Sequence, residues 1–258
     1  MINKLIQVNM KKIIFLLCLN IGFCVLIKAQ ENTSVEAVVG LLKQMRADYD
    51  NISNLSFDVS YTYAKQSTPD KILDSLSGRM QVSNKQYHWN ISNTEMIANS
   101  KYVIMLFKED KLMYITRPGS QNINFDPLSR LDSSLFLLKG LQCSLENKKD
   151  ITTVTLNFPD SSAYKQIKMT INRKNGFLSN TKFIIRPGAV RSFEDFDSMD
   201  NTGDEGYNVI EARYYNYNQD SISAAIFNSE NYFNRSGTEF VAANSYSDYK
   251  IFIGSPNL

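Results

Sequence analysis

Polar and apolar residues alternate along this chain with two periods, and the change between them marks its first structural boundary. Val35, Val38, Val39, Leu42, Met45 and Tyr49 recur at helical spacing, while Glu36, Lys43, Gln44, Arg46 and Asp48 fall on the other side. Thr33 and Glu36 have the spacing of a capping box, so an amphipathic helix is expected to start there and to lie on another layer. Immediately afterwards the period becomes two. Leu55, Phe57, Val59, Tyr61 and Tyr63 alternate with Ser56, Asp58, Ser60 and Thr62, the pattern of a half-buried strand with one aromatic face.

Further strand-like runs cover 72–82, 86–91, 102–107, 111–116, 141–146, 152–157, 166–172, 177–185, 209–217, 221–227 and 249–253, separated by short polar breaks. Lys108-Glu109-Asp110 and Arg173-Lys174-Asn175-Gly176 read as hairpin turns, the second with glycine supplying a positive φ. A short second helix is expected over 126–139, with Leu128, Leu131, Leu135 and Leu138 on one side. Long helices do not alternate with these strands, which argues against a doubly wound nucleotide-binding fold. The expected class is α+β: a large curved antiparallel sheet, an incomplete β-barrel, covered by the N-terminal amphipathic helix and the short second helix.

The first 29 residues belong to a different class of pattern. Lys11 and Lys12 precede an apolar run over 13–27, followed by Lys28 and Ala29, which reads as a secretory signal peptide cleaved near Ala29. The run is shorter than the ~20 apolar residues that span a bilayer as a helix. Neither Cys18, after Leu17, nor Cys24, after Phe23, has the small preceding residue that lipid attachment needs. The expectation is therefore a protein exported to the periplasm, with one domain over 30–258.

Removing that segment changes the bulk character. It holds four of the 28 basic side chains and none of the 26 acidic ones, so the formal charge moves from +2 to −2. Electrostatics then give no support for nucleic-acid binding. Two of the three cysteines leave as well, and Cys143 alone cannot make an intramolecular disulfide.

The search for catalytic chemistry yields little. The single histidine, His88, excludes His-rich zinc sites, and no G-x-S-x-G elbow, P-loop or G-x-G-x-x-G occurs. His88 is expected to point away from Tyr87 and Trp89 as an exposed strand residue, and Cys143 to be a small half-buried one, with a thiol–imidazole pair as the alternative. No enzyme, cofactor or metal is expected. The segment 186–206 is polar, aperiodic and acidic, with Glu194, Asp195, Asp197, Asp200, Asp204 and Glu205, and reads as a solvated inserted loop whose spacing does not match an EF-hand.

What stands out is apolar material on alternating strand positions. Phe57, Tyr61, Tyr63, Met80, Tyr87, Trp89 and Tyr114, with Leu131, Leu135 and Leu138 of the second helix, either pack as an ordinary core or line a hydrophobic groove.

The order of these segments resembles a known family. A signal peptide, an amphipathic helix and a long aromatic strand precede Gly78-Arg79-Met80-Gln81-Val82 and then Tyr87-His88-Trp89. A strand pair follows around Lys111-Leu112-Met113-Tyr114, then a Leu-rich segment at 134–138 and a late hairpin over 210–227 ending in Phe227. This order is similar to that of the periplasmic lipoprotein carriers of the LolA-like family. The resemblance implies a half-barrel whose apolar cavity shields lipid or lipoprotein acyl chains, acting as a monomer. It also implies an alternative in which the scaffold contacts envelope proteins, here through 186–206. Two departures are visible: Ser83-Asn84-Lys85-Gln86 stands where the carriers have an Arg-Pro, and the acidic segment is extra.

Overall fold

The computed structural model describes residues 32–118, 136–186, 206–255 and 258. The proposed signal peptide, Leu131 and Leu135 of the expected second helix, and the acidic residues of the inserted segment lie outside them.

After the two-residue β1 (Asn32–Thr33), the helix α1 (Val35–Asp50) starts one residue later than the capping-box reading places it. Ser34 is the cap: its backbone is extended and its hydroxyl accepts the Ala37 N–H at 3.2 Å. Val38, Leu42, Met45 and Tyr49 form the buried stripe.

The strands follow as β2 (Asn54–Lys65), β3 (Ile72–Ser83), β4 (Gln86–Ile91), β5 (Thr94–Ala98), β6 (Val103–Phe107), β7 (Leu112–Thr116), β8 (Gln142–Asn147), β9 (Ile151–Asn157), β10 (Tyr164–Asn172), β11 (Leu178–Ile185) and β12 (Asn208–Asn218). Near the end come β13 (Phe233–Ser236), β14 (Glu239–Ala242) and β15 (Lys250–Ile253). The main sheet runs β8-β9-β10-β11-β12-β2-β3-β4-β5-β6-β7-β15, curved and not closed into a barrel, while β13 and β14 pair separately. From Thr33 onward the chain forms one compact unit.

The hairpin turns follow from local chemistry. Asn84 and Lys85, between β3 and β4, both have positive φ (48° and 65°), the geometry of a two-residue type I′ turn whose twist suits the flanking strands. Gly176 takes φ 74° in the turn before β11. At Gly78, opposite Ile91, an added Cβ would collide with the Asn90 carbonyl and come within 2.6 Å of the Ile91 Cα, so a side chain there would force the strands apart.

The expected class and the large curved sheet are present, with one refinement and two corrections. The sheet is mixed, because β15 pairs with β7 in parallel, with Lys250 opposite Leu112 and Phe252 opposite Tyr114. The run 221–227 contains no strand: Ser223 caps a single 3-10 turn, Ala224–Phe227, and competes for the backbone hydrogen bonds a strand would need. His88 is not exposed: its side chain retains 15% of its accessible surface.

Burial divides between the two faces. On the face that carries α1, residues of β2, β3 and β8 to β12 pack around Val38, Leu42, Met45 and Tyr49 as the larger core. On the opposite face, Ile97, Ile104, Leu106, Met113 and Ile115 of β5 to β7 are covered by the segment 224–249, which contributes Tyr232, Phe233, Phe240, Tyr246 and Tyr249. Over β5 and β6 the helix-side face is apolar as well, through Met96, Ala98, Val103 and Met105.

Candidate functional site

Side chains opposite one another in neighbouring strands share a face, so the register shows which residues meet. Starting from Phe57 on β2, the partners are Met80, Trp89, Met96, Met105, Tyr114 and Phe252, on β3, β4, β5, β6, β7 and β15. Seven adjacent strands therefore place an unbroken row of aromatic and methionine side chains across the helix-side face. Six steps of about 4.8 Å make that row roughly 29 Å long.

The flanking rows have the same character. Val82, Tyr87, Ala98 and Val103 run on one side, and Ile91, Thr94, Phe107 and Leu112 on the other. Charged side chains on this face of β2 to β7 and β15 stand only at its margins: Lys65 and Asp74 at the far end of the β2–β3 hairpin, and Lys250 on β15.

The two ends of the row differ in exposure, and Met96 at its centre is buried (7% exposed). Phe57 (3% exposed) lies under the helix layer, against Tyr214 and Tyr217 at ring distances of 6.0 and 5.0 Å, and Met80 is similarly buried. Trp89 and Met105 are half-buried. Met96, Ala98 and Val103 form a cluster of their own with Tyr87, Trp89 and Met105. Tyr114 and Phe252 are 37% and 43% exposed. The row therefore begins inside the core and ends on an accessible apolar edge.

Of the residues proposed from sequence, the structure brings Phe57, Met80, Trp89 and Tyr114 into this row and Tyr87 beside it. Tyr61 and Tyr63 share the face but stand two strand positions and more away, toward the hairpin tip, where Leu76 opposite Tyr61 is exposed. Leu138 is exposed. Met96, Met105 and Phe252 were not singled out from sequence. Met96 lies on the five-residue β5, whose Thr94, Met96, Ala98 alternation is short and polar enough to pass for a loop. Phe252 joins the face only through the parallel pairing of β15.

That pairing is held by defined contacts. The Lys250 N–H donates to the Lys111 carbonyl at 2.8 Å and the Gly254 N–H to that of Ile115 at 2.8 Å. The Ser255 and Thr116 hydroxyls lie 2.6 Å apart. Gly254 has no side chain where the Tyr114 ring passes, which lets Tyr114 lie over the end of β15.

Polar chemistry sits on the other face. His88 contacts the Gln81 carboxamide oxygen through Nδ1 at 3.0 Å and Glu95 through Nε2 at 2.9 Å, and Lys108 Nζ lies 3.0 Å from Glu95. Burial opposes the charge of Glu95, but the hydrogen bonds from His88 and Lys108 outweigh it, and the carboxyl is held below its ordinary range. This network borders the second core, near Tyr232 and Tyr246, whose hydroxyls are pushed up by burial and by the Glu95 charge.

Cys143 is buried on β8, on the helix-side face, and burial together with the Glu36 carboxylate pushes its thiol up. His88 and Cys143 face opposite sides of the sheet, so the thiol–imidazole pair is not assembled. Among the described residues no three of His, Cys, Asp and Glu gather as a metal site, and no helix is long and apolar enough to cross a membrane.

No protein-family model and no curated protein matches the chain. Solved structures do. One is an uncharacterized conserved protein from Thermus thermophilus, at 7% identity and TM-score 0.44 over 84% of this chain and 99% of that one. Another is a LolA superfamily protein from Nitrosomonas europaea, at 12% identity and TM-score 0.31 over 74% and 97%. A third match is the lipoprotein LppX from Mycobacterium tuberculosis, at 13% identity and TM-score 0.36 over 73% and 99%. At these identities the likeness concerns the fold alone.

Proposed function

We propose that this protein is a non-enzymatic binder or carrier that shields an acyl chain of a lipid or lipoprotein on the helix-side face of its open sheet, after export to the periplasm. The observation that carries the reading is the seven-strand row from Phe57 to Phe252, apolar throughout, buried at Phe57, Met80 and Met96 and exposed at Tyr114 and Phe252. An acyl chain needs a long apolar path without reactive groups. Each buried CH₂ contributes about 0.8 kcal/mol, so an apolar surface can hold a chain without any directional bond.

Methionines at Met80, Met96 and Met105 suit a mobile ligand, since the unbranched thioether adapts to changing shapes. Phe57 and Met80 serve in this reading as the buried floor, and Trp89, Met105, Tyr114 and Phe252 as the contact surface. The order of sequence segments shared with the lipoprotein carriers is consistent with it.

Trp89 is the single tryptophan and the third of the row's seven residues, so its emission reports directly on the site. Titration of the mature protein with glycerol monooleate below its aggregation limit is expected to blue-shift Trp89 emission saturably. Met105→Glu, which puts a charge in the half-buried row, is expected to abolish the shift and to lower the thermal midpoint, so the titration is run well below that midpoint. An unchanged spectrum in the wild type, together with no lipid retained in native mass spectrometry, would overturn the reading.

A further inference from the structure

We infer that the acyl ligand carries a single anionic head, a fatty-acid carboxylate, and that Lys250 receives it at the exposed end of the row. The inference rests on the acyl-chain reading above and goes beyond it by naming the ligand class.

The face is apolar along its length, and its charges are confined to the margins. At the open end, where Tyr114 and Phe252 are exposed, Lys250 is the one charged side chain that the register puts on this face among the described residues of β4 to β7 and β15. It stands opposite Leu112, two residues before Phe252, with Nζ 5.2 Å from the centre of the Phe252 ring. The side chain thus lies along the apolar surface with its ammonium at the water boundary, the arrangement in which a lysine can meet a polar head while its stem touches the tail.

The neighbouring charges are already committed: Lys111 Nζ is 3.4 Å from Asp248. An acyl chain whose end lies against the exposed Tyr114 and Phe252 would bring its head to Lys250. Flanked by Leu112 and Phe252, Lys250 offers one positive charge in apolar surroundings. One negative charge on a compact carboxylate matches it.

Trp89 emission supplies the test, with oleate, glycerol monooleate and lysophosphatidylglycerol as probes on the wild type, Lys250→Gln and Lys250→Glu. Oleate affinity is expected to fall roughly two- to five-fold in Lys250→Gln, the scale of one exposed ion pair, and further in Lys250→Glu. The loss should shrink as salt is raised. Glycerol monooleate affinity should stay the same in all three proteins. Equal oleate affinity across the variants, with monooleate still bound, overturns the carboxylate inference and leaves the acyl-chain reading standing. A Lys250-dependent preference for lysophosphatidylglycerol over oleate also overturns it, in favour of a phosphate head. Binding of none of the probes sinks the acyl-chain reading itself. A lipid-free dimer in sedimentation that Phe252→Glu dissociates would assign the β15 edge to a second copy instead.

Discussion

Removing the Tyr49 hydroxyl tests how the helix layer is fixed to the sheet. The last turn of α1 reaches β11 through a closed ring of hydrogen bonds: the Leu178 N–H donates to the Tyr49 hydroxyl at 3.1 Å, the Tyr49 and Tyr217 hydroxyls are 3.3 Å apart, and Tyr217 donates to the Leu178 carbonyl at 2.8 Å. Since Tyr217 donates to Leu178, it accepts from Tyr49, and the ring runs in one direction. Leu178 is fully buried, and Phe177 stacks on Tyr217 at 4.5 Å, which keeps water out. Tyr49→Phe therefore leaves a buried amide without that acceptor, a loss of about 1–3 kcal/mol. For a domain of this size about 2 kcal/mol lowers the thermal midpoint by roughly 4–8 °C. Tyr217→Phe leaves the Leu178 carbonyl short of one donor, and an under-satisfied carbonyl is tolerated better than an orphaned N–H. It should cost less, and the double variant should cost less than the two singles together. Urea unfolding of the four proteins of the cycle measures this. A Tyr49→Phe protein within about 0.5 kcal/mol of wild type, or strictly additive variants, would refute the coupled ring.

Other outcomes follow from the same geometry. Leu42→Ala, in the buried stripe of α1, should lower stability by about 2–5 kcal/mol in denaturant titration. Gly78→Ala should cost about 1–3 kcal/mol or more, because the added methyl meets the Asn90 carbonyl and Ile91 backbone; a wild-type midpoint would show that the strands separate freely there. Glu95 has its folded-state pKa depressed, so its stabilising contribution is complete above the ordinary carboxylate pKa and is lost as pH falls through the folded value. The stability gap between wild type and Glu95→Gln, read by urea unfolding at about pH 7 and about pH 3, should therefore narrow at the lower pH; a constant gap would count against the His88–Glu95–Lys108 network.

Much of this architecture is legible along the chain. The change from helical spacing at Val38, Leu42, Met45 and Tyr49 to alternation at Leu55, Phe57 and Val59 reports local periodicity, which depends on near neighbours only. It places α1, most strands and the shared orientation of Phe57, Met80, Trp89 and Tyr114. Adjacent residues cannot report which strands pair or in which direction. The parallel seat of β15 beside β7 rests on contacts such as Ser255 with Thr116, and it alone brings Phe252 and Lys250 to the apolar face. Likewise, the burial of Ile97, Ile104 and Ile115 depends on the segment 224–249, distant in the chain, packing over that face of the sheet. Alternation along single strands set the two-faced character of the sheet; which stretch of the helix-side face stays open was set by long-range packing, since covering a face takes residues distant in the chain.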